Sequence, residues 1–286
     1  MTDQAHIRPR RSALFMPASN ARALAKARSL EADVLILDLE DSVAPEFKLA
    51  ARDGALAALA EGGFGERECV LRVNGLSTVW GEDDLRAAAQ SKADAVLLPK
   101  VESACDIHKA EGLLGDFAGS IWCMIETPKG VLESADIANA SRRLGCLVLG
   151  TSDLAKDLRC AHTPDRLPLL YSLSHVLLAA RAHGLACLDG VHLDLNDEAG
   201  FERACLQGRE MGFDGKSLIH PKTIEAANRV FSPSEEEIAQ ACKICAAFET
   251  AKASGKGVIV VDGRLVEHLH VMEAKRILAL AAVIGR

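Results

Sequence analysis

No apolar run in these 286 residues is long enough to cross a bilayer; the longest, Ile277–Gly285 (ILALAAVIG), is about half of what a span needs. The basic residues of the opening segment MTDQAHIRPRRS are not followed by the apolar core of a secretory signal, so a cytoplasmic protein without membrane partners is expected. A basic stripe is missing too. With a net charge of -7 and a pI near 5.7, the chain is no candidate for tracking a phosphate backbone, and nucleic acid is not an expected partner. A disulfide framework is excluded by the pattern of the nine cysteines, an odd number scattered through apolar segments, which reads as reduced core residues. Cys242 and Cys245 form a CxxC, but no second CxxC or histidine pair completes a zinc site. They fall at helical spacing with Ile238, Ala241 and Phe248, and a core stripe is expected there.

What is present is ample core material, 49% hydrophobic residues, in a chain of the size of one α/β barrel. Short apolar runs predict eight strands: 13–16, 34–39, 69–73, 95–98, 121–125, 146–149, 186–191 and 215–219. Amphipathic, alanine-rich segments such as NARALAKARSL and LLYSLSHVLLAARAHG lie between them, long enough for crossover helices. The pattern predicts an α/β fold of the (β/α)8 barrel type. A doubly wound open sheet is the competitor, weakened because no GxGxxG follows the first strand. After the eighth strand the pattern changes. A short helix has Pro221 in its first turn, and a longer one is opened by a Ser234–Glu237 capping box. An SGKG break, a strand-like VIVVDGRLV and a helix from about His268 complete the chain. The expected division is a catalytic barrel over 1–232 and a C-terminal lid and subunit-contact appendage over 233–286.

In such a barrel, chemistry sits at the C-terminal ends of the strands. There the sequence places Asp38, Glu40 and Asp41 after the second strand, Arg72 and Asn74 after the third, Lys100 after the fourth, Glu126 after the fifth, and Thr151, Ser152 and Asp153 after the sixth. Carboxylates crowded in a partly buried mouth repel one another, so some are protonated or a cation lies among them. An all-oxygen set suits magnesium before manganese or calcium, with only one or two carboxylates as direct ligands and the others orienting its waters. Two competing motifs are weaker. DGKS (214–217) resembles the end of a Walker A loop, but residue 210 is glutamate where that motif needs glycine. Lys100 could form a Schiff base in a metal-independent aldolase, although a structural or carboxylate-pairing lysine fits the metal constellation better.

The segments RSALFMPASN, ILDLEDSVAP, LRVNGLSTVWGEDDL, AVLLPKVES, MIETPKGV, GTSDLAKDL and GFDGKSLIHPKTIEAANRVFSPSEEE together resemble, in order and spacing, the citrate lyase β-subunit-like family. That family includes stand-alone malyl-CoA and citramalyl-CoA lyases. The resemblance implies a (β/α)8 barrel, a homotrimer, and Mg2+ used at a carbon–carbon bond next to an acyl thioester. Matched residue by residue, it implies Glu126 and Asp153 as metal ligands and Arg72 as the carboxylate-binding arginine. Asp38, Glu40 and Asp41 would lie around the metal waters, Phe15, Arg22 and Lys26 would contact CoA, and Ser217 and Leu218 would lie near the substrate. Arg22 and Lys26 are also four apart on one helix face, where two cations can meet phosphates together.

The implied reaction is cleavage of a 3-hydroxyacyl-CoA to acetyl-CoA and a 2-oxo acid. Three alternatives stay open: a citrate lyase β subunit acting on a carrier-bound thioester within a complex, a malyl-CoA-type thioesterase, and an idle barrel that binds CoA esters. The chain departs from the family pattern at DGRLVE, which puts Glu267 where many relatives carry a catalytic aspartate that reaches a neighbouring subunit's site.

Overall fold

A computed structural model describes residues 8–253 and 258–285; the first seven residues and the SGKG break lie outside the described residues. The described chain divides into two compact units, one from Arg10 to Arg229 and the other from Val230 onward, joined in that second grouping by residues 8 and 9.

In the first unit all eight expected strands form: β1 Ser12–Pro17, β2 Val34–Asp38, β3 Glu68–Arg72, β4 Ala95–Leu98, β5 Ser120–Ile125, β6 Leu144–Leu149, β7 Ala186–Asp189 and β8 Gly215–Leu218. They are parallel, in sequence order, and β8 pairs back onto β1, so the sheet is a closed barrel and the open-sheet competitor falls away. Strands buried on both faces read as unbroken apolar runs, which is why VLILD is buried throughout. The pleat splits each run. Val34, Ile36, Val70, Leu97, Trp122, Met124, Val148 and Leu188 meet inside the barrel, and their neighbours face the helices.

Closure has a visible local requirement. A Cβ on Gly215 would run into the backbone of Arg10 and Arg11, so only glycine lets β8 approach β1 there. Lower in the barrel, Arg10 lies over the Trp122 ring at 4.7 Å and pairs with Glu68 at 2.6 Å. β7 stops at Asp189, two residues short of the predicted end, and the chain leaves it as a loop.

The second unit is built from the helix Glu235–Ala253, the antiparallel hairpin of β9 Ile259–Val261 and β10 Arg264–Val266, and the helix His268–Val283. Its capping box forms as expected: Glu237 N–H donates to Ser234 Oγ at 3.2 Å and Ser234 N–H donates to Glu237 Oε2 at 2.7 Å. The strand-like VIVVDGRLV is two strands, because Asp262 and Gly263 both take positive φ (48° and 76°) in a two-residue turn. Phe248, Val261, Val266 and Val271 form a small core with Ile244 and Cys245 packed against it. Cys242 is a correction to the expected stripe. It is exposed, because the buried face runs through Ala241, Ile244, Cys245 and Phe248, and one further residue turns a side chain about 100° away. Among the described residues no helix is long and apolar enough to cross a membrane.

Candidate active site

Residues at the C-terminal ends of β1, β2, β3, β5, β6 and β8 converge on a cavity of about 320 Å3, whose walls include Phe15, Asp38, Arg72, Glu126, Asp153 and Ser217. Asp38 and Arg72 are register partners on adjacent strands, both on the inward parity of the pleat. The arginine reaches back in a fork: Nε donates to Asp38 Oδ1 at 2.6 Å and Nη2 to Asp38 Oδ2 at 2.7 Å. Asp38 also accepts from the backbone N–H of Glu40 and Ser42. Burial works to raise its pKa, but the Arg72 bonds and charge outweigh it and hold the carboxyl below its ordinary range. Arg72 in turn lies on the Phe15 ring, 4.6 Å from the centroid. Burial works to lower its pKa, while bonding to Asp38 raises it and keeps the guanidinium charged.

The remaining guanidinium nitrogen of Arg72, Nη1, faces the other carboxylates of the β2 loop. Nη1 is 2.8 Å from Glu40 Oε2 and 3.7 Å from Asp41 Oδ2. The Glu40 contact is an ion pair without hydrogen-bond alignment, so among the described residues the buried Oε2 has no hydrogen-bond partner. Burial raises the Glu40 pKa against the opposing charge of Arg72.

Glu126 follows β5 directly because the next turn begins at once: Pro128 occupies the first helical position of Pro128–Leu132, and Thr127 Oγ1 caps it by accepting from Gly130 N–H at 3.0 Å. A Cβ on Gly150 would collide with the Glu126 side chain, so glycine after β6 is what lets this carboxylate lie against the backbone. Only 3% exposed, Glu126 is pushed up to about 7 by burial and then by the charge of Glu40. Asp153 enters from the first turn of the helix Thr151–Leu158.

Lys100 ties this group together. Its backbone is left-handed (φ 50°), an uncommon state for a side-chain-bearing residue. Its N–H donates to Glu126 Oε1 at 2.8 Å, and its ammonium lies 3.3 Å from Glu40 Oε1 and 3.2 Å from Asp153 Oδ2. Burial works against the charge, but Glu40 and Asp153 raise its pKa, so it is an ammonium paired with carboxylates and a poor amine nucleophile. Among the described residues no three His, Cys, Asp or Glu side chains group as a metal-ligand set. A cation held by Glu126 and Asp153 would therefore take its other oxygens from water or substrate.

The other expected residues distribute unevenly. Ser217 lines the cavity and donates through Oγ to the Asp189 carbonyl at 3.1 Å. Leu218, one residue on, is buried on the opposite face of β8 and is not part of the cavity wall. Thr151 and Ser152 are wall residues. Asn74 instead turns its amide to Asp84 at 2.6 Å, bracing the loop after β3. Arg22 and Lys26 are exposed on the helix Ala21–Ala27, outside the cavity wall. Glu267 belongs to the second unit, at the N-cap of the last helix, where its N–H donates to His270 Nδ1 at 3.0 Å.

Two important lysines escape a reading by strand ends. Lys48 sits on the helix Lys48–Glu61, yet its buried ammonium donates to the carbonyls of Leu39 and Glu40 at 2.8 and 2.7 Å, fixing the loop that carries the β2 carboxylates. Lys216, in the DGKS segment, is buried and donates to Asp189 at 2.7 Å, a structural use that accounts for it without a phosphate.

The HpcH/HpaI aldolase/citrate lyase family model matches residues 11–221. The (3S)-malyl-CoA thioesterase of Cereibacter sphaeroides strain KD131 is 50% identical over 285 residues, covering 100% of this chain and 98% of that protein. The citrate lyase subunit beta of Leuconostoc mesenteroides subsp. cremoris is 39% identical over 283 residues, covering 96% of this chain and 94% of that one. Among solved structures, CitE from Mycobacterium tuberculosis in complex with magnesium, acetoacetate and coenzyme A superposes with a TM-score of 0.78 at 32% identity, covering 96% of this chain and 98% of that one. With the motifs, the closed barrel and the full-length relatives in agreement, this chain belongs to the HpcH/HpaI aldolase/citrate lyase family.

Proposed function

We propose that this protein is a magnesium-dependent enzyme that hydrolyses a malyl-CoA-type hydroxyacyl thioester to the free hydroxy acid and CoA. The observation that carries the reading is the 50% identity with a (3S)-malyl-CoA thioesterase across essentially the whole of both chains. Hydrolysis thus takes precedence over the carbon–carbon cleavage implied by the sequence resemblance.

The residues fit magnesium. Glu126 is buried and pushed up to about 7 among other acids, Glu40 Oε2 has no hydrogen-bond partner among the described residues, and every candidate donor is a hard oxygen. Glu126 and Asp153 would hold the ion, and Glu40 and Asp41 would orient its waters. Bound there, the ion supplies Lewis acidity to substrate oxygens. Arg72, held rigid by Asp38 and Phe15, presents its Nη1 edge to the acyl carboxylate in competition with Glu40. Lys100 restrains Glu40 and Asp153 and limits the negative charge that an anionic substrate must approach. Phe15 forms the apolar wall beside the acyl group, and Arg22 and Lys26 offer an exposed cationic pair for CoA phosphates. Ser217 and the Leu218 backbone flank the substrate.

A second reading, cleavage to acetyl-CoA and a 2-oxo acid by a homotrimer, is favoured by the relatives named citrate lyase subunit beta. Action on a carrier-bound thioester within a citrate lyase complex is a form of it. Here Glu267 would transfer the proton to or from the acetyl carbon in a neighbouring subunit. Mass analysis of products from malyl-CoA and citramalyl-CoA, with magnesium and with chelator, separates the readings: free hydroxy acid and CoA support hydrolysis, and acetyl-CoA with a 2-oxo acid supports cleavage. Full turnover in chelator would refute the metal role. Glu267→Gln is expected to abolish cleavage without weakening metal binding, and mixing it with Arg72→Ala is expected to restore cleavage in hybrid oligomers. Unchanged cleavage by Glu267→Gln would remove that residue from the mechanism.

A further inference from the structure

Asp41 stands on a turn that is fixed on both sides. The Val43 N–H donates to the Glu40 carbonyl at 3.0 Å and closes the turn over Asp41 and Ser42. Asp38 accepts the backbone N–H of Glu40 at 2.8 Å and of Ser42 at 3.2 Å, one residue before Asp41 and one after it. Lys48 adds a third restraint by donating to the Glu40 carbonyl at 2.7 Å. The backbone that carries Asp41 is thus held, while its side chain lies 61% exposed in the wall of the mouth. Among the described residues its one polar contact is with Arg72 Nη1 at 3.7 Å, too long for a hydrogen bond. An exposed acid paired at that distance does little for the fold. The turn nevertheless presents it beside the nitrogen that Arg72 offers to the acyl carboxylate, and solvent can reach it.

Hydrolysis needs a base for water. The walls of the mouth contain no histidine, cysteine or lysine, which leaves the carboxylates. Asp38 has both oxygens on Arg72 and backbone N–H groups. Glu40 is buried between Arg72 and Lys100 and is not a wall of the cavity. Glu126 and Asp153 are the ligands of the ion in the hydrolase reading, and Lys100 holds both, the first through its N–H and the second through its ammonium. We infer that Asp41 is a further catalytic residue, the base that deprotonates the hydrolytic water. The inference rests on the hydrolase reading above. In a malyl thioester three bonds separate the carboxylate carbon from the thioester carbon, roughly 4 Å in an extended chain. With the carboxylate on Arg72, one water therefore spans the gap from Asp41 to the carbon under attack. The water oxygen bonds to the thioester carbonyl carbon as its proton passes to Asp41. The carbon–sulfur bond then breaks, and the CoA thiolate leaves and takes that proton. The new carboxyl group loses its own proton to solvent.

The test is hydrolysis of malyl-CoA followed as free thiol, for wild type, Asp41→Asn and Asp41→Gly, over a series of magnesium concentrations. Mn2+ binding by electron paramagnetic resonance reports on the mouth independently of turnover. Asp41→Asn keeps the shape of the side chain and removes the base, so kcat is expected to fall about a hundredfold or more with KM within about threefold of wild type, and Mn2+ affinity kept. Added formate, a carboxylate small enough to enter where the side chain is missing, should restore part of the rate to Asp41→Gly and none to Asp41→Asn. An Asp41→Asn enzyme that hydrolyses at the wild-type rate overturns the inference and leaves the hydrolase reading standing. So does a loss that added magnesium fully restores, because Asp41 would then act only through the ion. A wild type that yields only carbon–carbon cleavage products overturns both.

Discussion

Two ion pairs in this barrel have the same construction and different surroundings. Asp38 and Arg72 are register partners on β2 and β3, and Asp189 and Lys216 are register partners on β7 and β8. Each pair joins neighbouring parallel strands, with Asp38, Arg72 and Asp189 at strand C-termini and Lys216 near the start of β8, and each is almost fully buried. They differ in the parity of the pleat. Asp38 and Arg72 share the inward parity of Ile36 and Val70, whereas Leu188 and Ser217 point inward and leave Asp189 and Lys216 facing the helices. The outward pair is closed by Arg166, whose Nη1 lies 2.7 Å from both Asp189 oxygens, giving one acid two cations. The inward pair opens onto a cavity where five carboxylates, Asp38, Glu40, Asp41, Glu126 and Asp153, face two cations, Arg72 and Lys100. A cluster whose acid is fully paired fastens the fold, and an over-acidic one asks for a further cation.

The largest expected effect breaks the outward cluster. Asp189→Ala strands Lys216 and Arg166 without their acid and should cost about 3–5 kcal/mol of stability in urea unfolding, with Mn2+ affinity of the folded protein unchanged. A cost below about 1 kcal/mol would mean that the two clusters do not differ in kind.

Glu126→Gln should act in the opposite sense on stability. The carboxyl of Glu126 stands at about 7 in the folded protein against an ordinary 4.5, so the folded state binds its proton more tightly than the unfolded one. Below pH 4.5 that carboxyl is protonated in both states and costs nothing. As pH rises through 7 the wild type, studied in chelator, should lose up to about 3 kcal/mol that the glutamine variant keeps. Turnover with magnesium should fall about a hundredfold, near 3 kcal/mol. A variant no more stable than wild type at pH 8 would show that the mouth does not carry excess charge.

Arg72→Lys keeps the charge of the inward pair and removes its fork. About a thirtyfold loss of kcat/KM, roughly 2 kcal/mol, is expected with little change in fold stability. Wild-type kinetics would make the Asp38–Arg72 pair a fastener like its outward counterpart.

Much of this site was legible along the chain because barrel strands announce themselves as apolar runs and their ends are marked by the first polar residues. That logic reached Asp38, Arg72, Lys100, Glu126 and Asp153, whereas Ser217 came only from the family resemblance. It missed Lys48, which acts from the side of a helix. It grouped Asp38 with the metal waters, but both its oxygens are taken up by Arg72 and backbone N–H groups. On the helix Glu235–Ala253 it put Cys242 on the buried stripe, because helical spacing alone leaves the exact angle of that stripe open by about one residue.

The sequence by itself determined eight strands in order, the crossover helices between them, the Ser234 cap, and the family to which the chain belongs, since these depend on local periodicity, capping and motif spacing. The tertiary structure decided which charges meet and which way they face. Register couples residues dozens of positions apart, and a shift of one residue would move Arg72 from the cavity to the helix layer and Lys216 the other way. Closure of β8 onto β1 fixes that register around the whole ring, and with it the difference between an ion pair that holds the barrel together and one that opens onto a reactive mouth.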